Sequence, residues 1–265
     1  MIMRRPAVAG QFYPGNENDL RELIKKLAPE HTPSKIPALG VVAPHAGYIY
    51  SGRVAAEVYA SIEEAPTFVI LGPNHYMYGS AVALSTQEWM TPLGNVQVDE
   101  DFIDCLPIGI IDKDELAHRS EHSIEVQIPF LQYFFKDFKI VPIALGLQDY
   151  DTIKELAGEL VKAIEKYDER VVIIASSDFT HYEDVDVAHR KDRALIKTIE
   201  QLDVPAFYDE LYRINASTCG YGPIGAMMMA CRERGAKYGK LLRYATSGDV
   251  TGDRQVVGYA GIAVY

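Results

Sequence analysis

The feature that most narrows the fold of this chain is a repeated pairing of two patterns. Short runs that are apolar at every position are each followed by a polar turn and then by a segment of helical period. The runs fall at residues 39–43, 68–71, 140–145 and 171–175 and are rich in Val and Ile. A strand with one wet face alternates apolar and polar residues, so an uninterrupted run of this length suits a strand covered on both faces. Helical spacing occupies 18–27, 52–62, 123–134, 152–167, 186–202 and 225–234. The alternation predicts an α/β fold with a central, largely parallel or mixed sheet flanked by helices on both faces. Two later runs, 241–246 and 256–264, read as strands around a polar loop from Ser247 to Arg254, and 89–98 reads as a hairpin insertion.

No repeat, low-complexity tract or Ser/Gly/Pro-rich linker divides the chain, and 265 residues lie near the upper end for one hydrophobic core. One domain over 1–265 is expected. The formal charge of −11, from 26 Lys and Arg against 37 Asp and Glu, would repel a phosphate backbone, which argues against nucleic acid. Cys105, Cys219 and Cys231 are three cysteines at unrelated spacings, a pattern unlike a secreted disulfide framework. The apolar stretch before Gln11 is too short for a signal-peptide core or a membrane span. A cytoplasmic protein that does not enter the membrane is the expectation.

Three predicted strands run directly into polar turns that contain histidine. These are Ala43-Pro44-His45-Ala46-Gly47-Tyr48, Gly72-Pro73-Asn74-His75 and Ser176-Ser177-Asp178-Phe179-Thr180-His181. In open α/β sheets the loops at the carboxyl ends of the strands converge on the ligand crevice, so histidines delivered by three such loops can meet. A fourth group comes from Ser217-Thr218-Cys219-Gly220-Tyr221-Gly222-Pro223, where Cys219 sits just before a predicted helix. A helix N-terminus favours thiolate, the form of cysteine that binds metal. Taken singly, a histidine at a strand end is an ordinary turn residue and a cysteine an ordinary apolar filler. It is their joint occurrence on converging loops that points to a metal pocket.

The ordered motifs Ala43-Pro44-His45-Ala46-Gly47-Tyr48, Leu71-Gly72-Pro73-Asn74-His75, Glu121-His122-Ser123-Ile124-Glu125, Ser176-Ser177-Asp178-Phe179-Thr180-His181 and Thr218-Cys219-Gly220 resemble those of the Memo family. Its microbial members are also called AmmeMemoRadiSam system protein B. The resemblance runs from Pro6-Ala7-Val8-Ala9-Gly10-Gln11-Phe12-Tyr13-Pro14 to Tyr259-Ala260-Gly261. It implies a fold like that of the class III extradiol ring-cleavage dioxygenases, with a metal pocket at one end of the sheet. It implies His45, His75 and Cys219 as metal ligands, with His181 as the pocket acid/base and Asp178 beside it. Tyr48, His122 and Glu125 are expected around that pocket, His122 and Glu125 opening a bordering helix from which one could orient a ligand. Where the dioxygenases use two histidines and a carboxylate, this chain resembles its own family in offering a thiol. A His₂Cys set suits iron or copper, with zinc also within its range. Three protein ligands leave a coordination position open, as a catalytic or sensing site requires.

Other patterns carry less. His118-Arg119-Ser120-Glu121-His122 matches H-x-x-E-H, yet the charged segment before it and Pro129 after it argue against the continuous helix an inverted zinc peptidase needs. Gly220-Tyr221-Gly222-Pro223-Ile224-Gly225 fits G-x-G-x-x-G, but it follows no strand and Pro223 removes an amide, so close backbone approach to the pocket explains it better. Met227, Met228 and Met229 point in different directions around a helix and read as core. Asp249 and Asp253 read as a solvated turn, with Arg254 a minor candidate for lining the pocket. Two functions follow. One is a metal-dependent, dioxygenase-like oxidoreductase or acid/base catalyst on a small substrate, with an aromatic or phenolic one among the options. The other is a regulatory module that binds a metal or a peptide without turnover, for which the resemblance implies AMMECR-type and radical-SAM partner proteins.

Overall fold

The computed structural model describes residues 3–265, so Met1 and Ile2, where the expected domain begins, lie outside the described residues. The strands in chain order are β1 (Met3–Arg4), β2 (Gly40–Ala43), β3 (Thr67–Pro73), β4 (Val82–Leu84), β5 (Glu88–Thr91), β6 (Gly94–Val96), β7 (Asp112–Lys113), β8 (Lys139–Leu145), β9 (Val171–Ser176), β10 (His181–Asp184), β11 (Gly239–Thr246) and β12 (Gln255–Val264). The helices are α1 (Glu17–Leu27), α2 (Tyr48–Ser61), α3 (Glu100–Cys105), α4 (Ile128–Phe134), α5 (Tyr150–Lys166), α6 (Val185–Glu200), α7 (Val204–Arg213), α8 (Tyr221–Glu233) and α9 (Gly248–Thr251).

The four apolar runs become β2, β3, β8 and β9, in which every residue except Lys139 is buried. They lie side by side in the order β2-β9-β3-β8, all parallel. Antiparallel strands flank this centre, β12 beside β2 and β4 beside β8, and with β10 and β11 paired to β12 and β7 to β4 they complete a nine-stranded mixed sheet. The expected hairpin is β5 with β6, which joins β1 in a small second sheet.

Helices cover both faces, as two glycines show. A side chain at Gly40 would strike Met227 and Cys231 of α8, whereas one at Gly261 would strike Val58 of α2. Val42, on the face of Gly40, pairs with Ile262, the neighbour of Gly261, so α8 and α2 lie on opposite sides. The methionines at 227 and 228 are buried in that packing, as expected of core residues. Among the described residues no helix is long and apolar enough to cross a membrane.

Some boundaries differ from expectation. The helix expected over 123–134 splits into a 3-10 turn, Glu125–Gln127, and α4, because Pro129 has no N–H for a longer ladder and sits instead in the first turn of α4. The helix α2 starts at Tyr48, four residues before the expected 52. Of most consequence for function is register. Ala43 pairs with Ser176, and Leu71 with Ala175 and Ile143, so parallel neighbours end at one rim of the sheet. His45, Asp178 and His75 each lie two residues beyond the end of β2, β9 and β3.

Candidate metal centre

Four loops leave that rim and enclose a cleft of about 590 Å³ whose lining includes His45, His75, His122, Asp178 and His181. One ring nitrogen from each of His45, His75 and His122 lies within 4.8 Å of the others. The rings of His75 and His122 stack, with centroids 4.7 Å apart, and His45 stands edge-on to both.

Hydrogen bonding sets which nitrogen each ring offers. Ser176 Oγ donates to the carbonyl of Ser123 (2.6 Å) and accepts from Gln127 Nε2 (2.7 Å). Its one proton is thereby used, so at the 2.9 Å contact with His45 it is Nδ1–H that donates and Nε2 that keeps its lone pair. His75 Nδ1 donates to Glu121 Oε1 (2.9 Å), and His122 Nδ1 lies 3.3 Å from the same oxygen. Nε2 of His75 is again left free. Carboxylate or hydroxyl partners on the far nitrogen of each ring are the arrangement found behind metal-bound histidines.

Glu121 is the carboxylate that organises this corner. Its Oε2 accepts from the backbone of His75 (2.6 Å), and its Oε1 accepts from the backbones of His122 and Ser123 (2.8 Å each) as well as the His75 ring. Burial pushes its pKa up, but these bonds, that of His75 foremost, outweigh it and hold the group at about 2. Burial lowers His45 well below its usual range, assisted by the neighbouring imidazoles, and lowers His122 to about 4, so both are neutral at pH 7. Gly72 lets the Glu121 loop approach the sheet. A Cβ there would lie 2.4 Å from Ser123 Oγ, which donates to the carbonyl of Pro73.

Cys219, expected as the third ligand, neither lines the cleft nor joins the three-histidine group, and it reaches that group only at His45, its sulfur 3.2 Å from Nε2. With that nitrogen an acceptor, the thiol proton points at it. The expectation that a helix N-terminus favours thiolate is not met. Burial, and then the Asp178 carboxylate, push the thiol pKa up, and only a bound cation would reverse that balance. The loop is stitched to its neighbour: Asp178 N–H donates to the sulfur (3.3 Å), and Gly220 N–H to Ser177 Oγ (2.9 Å). Of the glycines expected to approach the pocket, Gly220 does so, since a Cβ there would lie 2.3 Å from the Ser176 carbonyl, whereas Gly222 packs on Gln148 and Gly225 on Tyr208 and Ile153.

Asp178 accepts from the backbones of His45 (2.8 Å) and Ala46 (3.3 Å); burial raises its pKa to about 6 against those bonds. His181 donates from Nδ1 to the Ser217 carbonyl (2.9 Å), so its Nε2 is free within the cleft.

Of the three expected pocket neighbours, two sit elsewhere and one lies in the pocket itself. Tyr48 is buried beneath the cleft, its hydroxyl donating to the Val126 carbonyl and its ring stacked on Phe130; two residues on, Tyr50 reaches the lining. Glu125 pairs with Arg4 and accepts from Ala7, Val8 and Tyr13, so it clamps the N-terminal segment, and the orienting carboxylate is Glu121. His122, expected as a bordering residue, contributes to the histidine cluster itself. At the mouth, Asp253 lines the cleft while Arg254 turns away to Asp184 and Asp186. The segment 118–122 is not helical, in keeping with the case against a peptidase motif.

A family model described as Memo, Memo-like protein matches residues 4–263. A MEMO1 family protein of Methanosarcina barkeri is 51% identical over 264 residues, 99% of this chain and all of that one. One from Methanosarcina mazei is 52% identical with both chains covered completely, and one from Archaeoglobus fulgidus is 49% identical over 98% of each.

Proposed function

This chain belongs to the Memo family, and on that premise we propose that its cleft holds one transition-metal ion beside which His181 and Asp178 move protons on a small phenolic substrate. The observation that carries the reading is the convergence of free imidazole nitrogens whose other nitrogens are already committed. His45, His75 and Cys219 are the proposed ligands, with His122 alongside.

The three imidazoles fit such an ion, and Cys219 adjoins them through His45. Two ligands roughly 2.0 Å (nitrogen) and 2.3 Å (sulfur) from one metal, at angles between square and tetrahedral, are about 3.1–3.6 Å apart. The 3.2 Å between His45 Nε2 and Cys219 Sγ falls inside that interval. Thiolate with two imidazoles suits iron or copper and also accepts zinc. When bound, the metal would supply electron transfer and polarisation of a substrate oxygen.

The chain's own residues supply the rest. Glu121 and Ser176 fix the ring orientations of His75 and His45. His181 Nε2 can take a proton from a substrate hydroxyl, and Asp178, raised toward neutrality, can hold or return one. Phe12 packs on His122 with centroids 4.7 Å apart and shields that wall of the cleft from water.

Elemental analysis of anaerobically purified protein tests the ligand set. Wild type should carry about one metal per chain and Cys219→Ser markedly less, while His122→Gln keeps most of it. Equal metal in wild type and Cys219→Ser would overturn the assignment of the sulfur. Oxygen uptake by Fe(II)- or Cu-loaded protein across a phenol panel tests turnover.

A second reading, a regulatory module that binds metal or peptide without turnover, is favoured by the thiol at the position of the dioxygenase carboxylate and by the exposed rim residues Tyr76, Met77 and Tyr78. AMMECR-type and radical-SAM proteins are the partners proposed for it. Stoichiometric capture of one of them, abolished by blocking the cleft, with no oxygen uptake, would select this reading.

A further inference from the structure

The mouth of the cleft is chemically unlike its floor. Its walls are aromatic, from Phe12, Tyr50, Tyr182 and Tyr259, and no Lys or Arg lines it. Two carboxylates do, Asp178 toward the floor and Asp253 at the rim. Arg254, next to Asp253 in sequence, spends its guanidinium on Asp184 and Asp186 at 2.9–3.1 Å. Among the described residues no ion pair reaches the Asp253 carboxylate, and its backbone N–H is already held by Thr251.

Tyr182 adds an independent observation. It adopts φ +56°, a left-handed conformation that a bulky residue rarely takes, at a bulge between His181 and Glu183. The ring so presented is 76% exposed at the cleft wall, with little packing to offset the strain. Strain kept where it earns no core contact points to a ligand contact. Tyr50, Tyr182 and Tyr259 line the same cleft, so the three phenols face one volume.

Electron-rich ring faces beside a carboxylate with no cation of its own are the environment that selects an organic ammonium group. A carboxylate tail there would face Asp253 and Asp178 with no basic side chain to pair with. We infer that the cleft takes an aromatic amine, its hydroxylated ring toward the histidines and its ammonium group among Tyr50, Tyr182 and Asp253. This specifies the substrate class of the site proposed above and rests on that cleft being the working one.

The test uses three phenols that differ in tail charge: tyramine, 4-ethylphenol and 3-(4-hydroxyphenyl)propionate. Each is titrated calorimetrically into metal-stripped and zinc-loaded protein. Tyramine should bind about 10-fold or more tighter than the propionate, with 4-ethylphenol between them. Asp253→Asn should shrink that gap at least about threefold and leave 4-ethylphenol unchanged, and Tyr182→Ala should weaken tyramine selectively. Equal or tighter binding of the propionate, a gap that survives Asp253→Asn, or no binding of any probe overturns the inference. The two arms separate it from the metal reading. Ammonium preference in protein that takes up no zinc sustains the substrate class and sinks the ligand set; zinc uptake without the preference does the reverse.

Discussion

Replacing Glu121 by Gln keeps its shape and one oxygen while removing the charge, and the consequences can be worked from its contacts. In the least damaging orientation the amide oxygen takes the place of Oε1 and still accepts from the His75 ring and the His122 and Ser123 backbones. The amide NH₂ then faces the His75 backbone N–H across what was a 2.6 Å bond, donor against donor. One charge-assisted bond is lost, at about 1.5–3 kcal/mol, and three others weaken, so a total near 3 kcal/mol is expected. For a chain of this size that lowers the melting temperature by roughly 6–10 °C. Because His75 loses its anchor, metal affinity should fall about 10–100-fold. The pH dependence has a definite sign. A carboxylate held at about 2 in the folded state, against an ordinary 4.5, stabilises fully above pH 4.5, and its contribution fades as pH falls toward 2. The gap between wild type and variant should therefore be constant at neutral pH and narrow in acid. Calorimetric melting of metal-free protein between pH 3 and 8 and a competitive zinc titration measure both effects. A melting temperature within about 2 °C of wild type together with metal affinity unchanged within about threefold would refute the role given to Glu121.

Further outcomes follow from contacts away from the histidines. Gly220→Ala should destabilise by about 2–3 kcal/mol, because its Cβ meets the Ser176 carbonyl at 2.3 Å and Ser177 Cβ at 2.7 Å; a lower urea midpoint at unchanged slope would show it. Arg4→Met leaves the Glu125 carboxylate buried without its ion pair and should cost about 3–5 kcal/mol, read by the same assay. The matching change at Arg21, whose partner Glu17 is exposed, should shift stability by about 0.5 kcal/mol or less.

The parallel centre of the sheet and the meeting of His45, His75, His181 and Asp178 on one cleft were legible because both follow from local pattern. Three of the four buried runs end in turns that carry a residue of that cleft, whereas Cys219 follows no such run and does not line it. What escaped depends on tertiary contacts. Which of Glu121 and Glu125 turns inward is decided by an irregular loop pinned at Ser123 against Gly72, and no periodicity describes such a path. Tyr50 lines the cleft in place of the expected Tyr48 because α2 begins at Tyr48, and at about 100° per residue two positions reverse the facing direction. Asp253 sits in a turn whose composition reads as solvated, and only its placement beside the cleft gives it another part. The strands β4 and β7, of three and two residues, are too short to leave a pattern. The spacing of α7 is present in Val204, Phe207, Tyr208 and Leu211, which all face the core.

His45 and Cys219 are 174 residues apart and meet only because β2, β9 and β3 finish level with one another. An unfolded chain offers an ion no such meeting, since closing so long a loop around two side chains is entropically remote. In the proposed metal reading, capture would therefore be a late event, subsequent to assembly of the central strands, and the ion would not nucleate folding as it does in a zinc finger. A chelator should accordingly leave a folded protein behind.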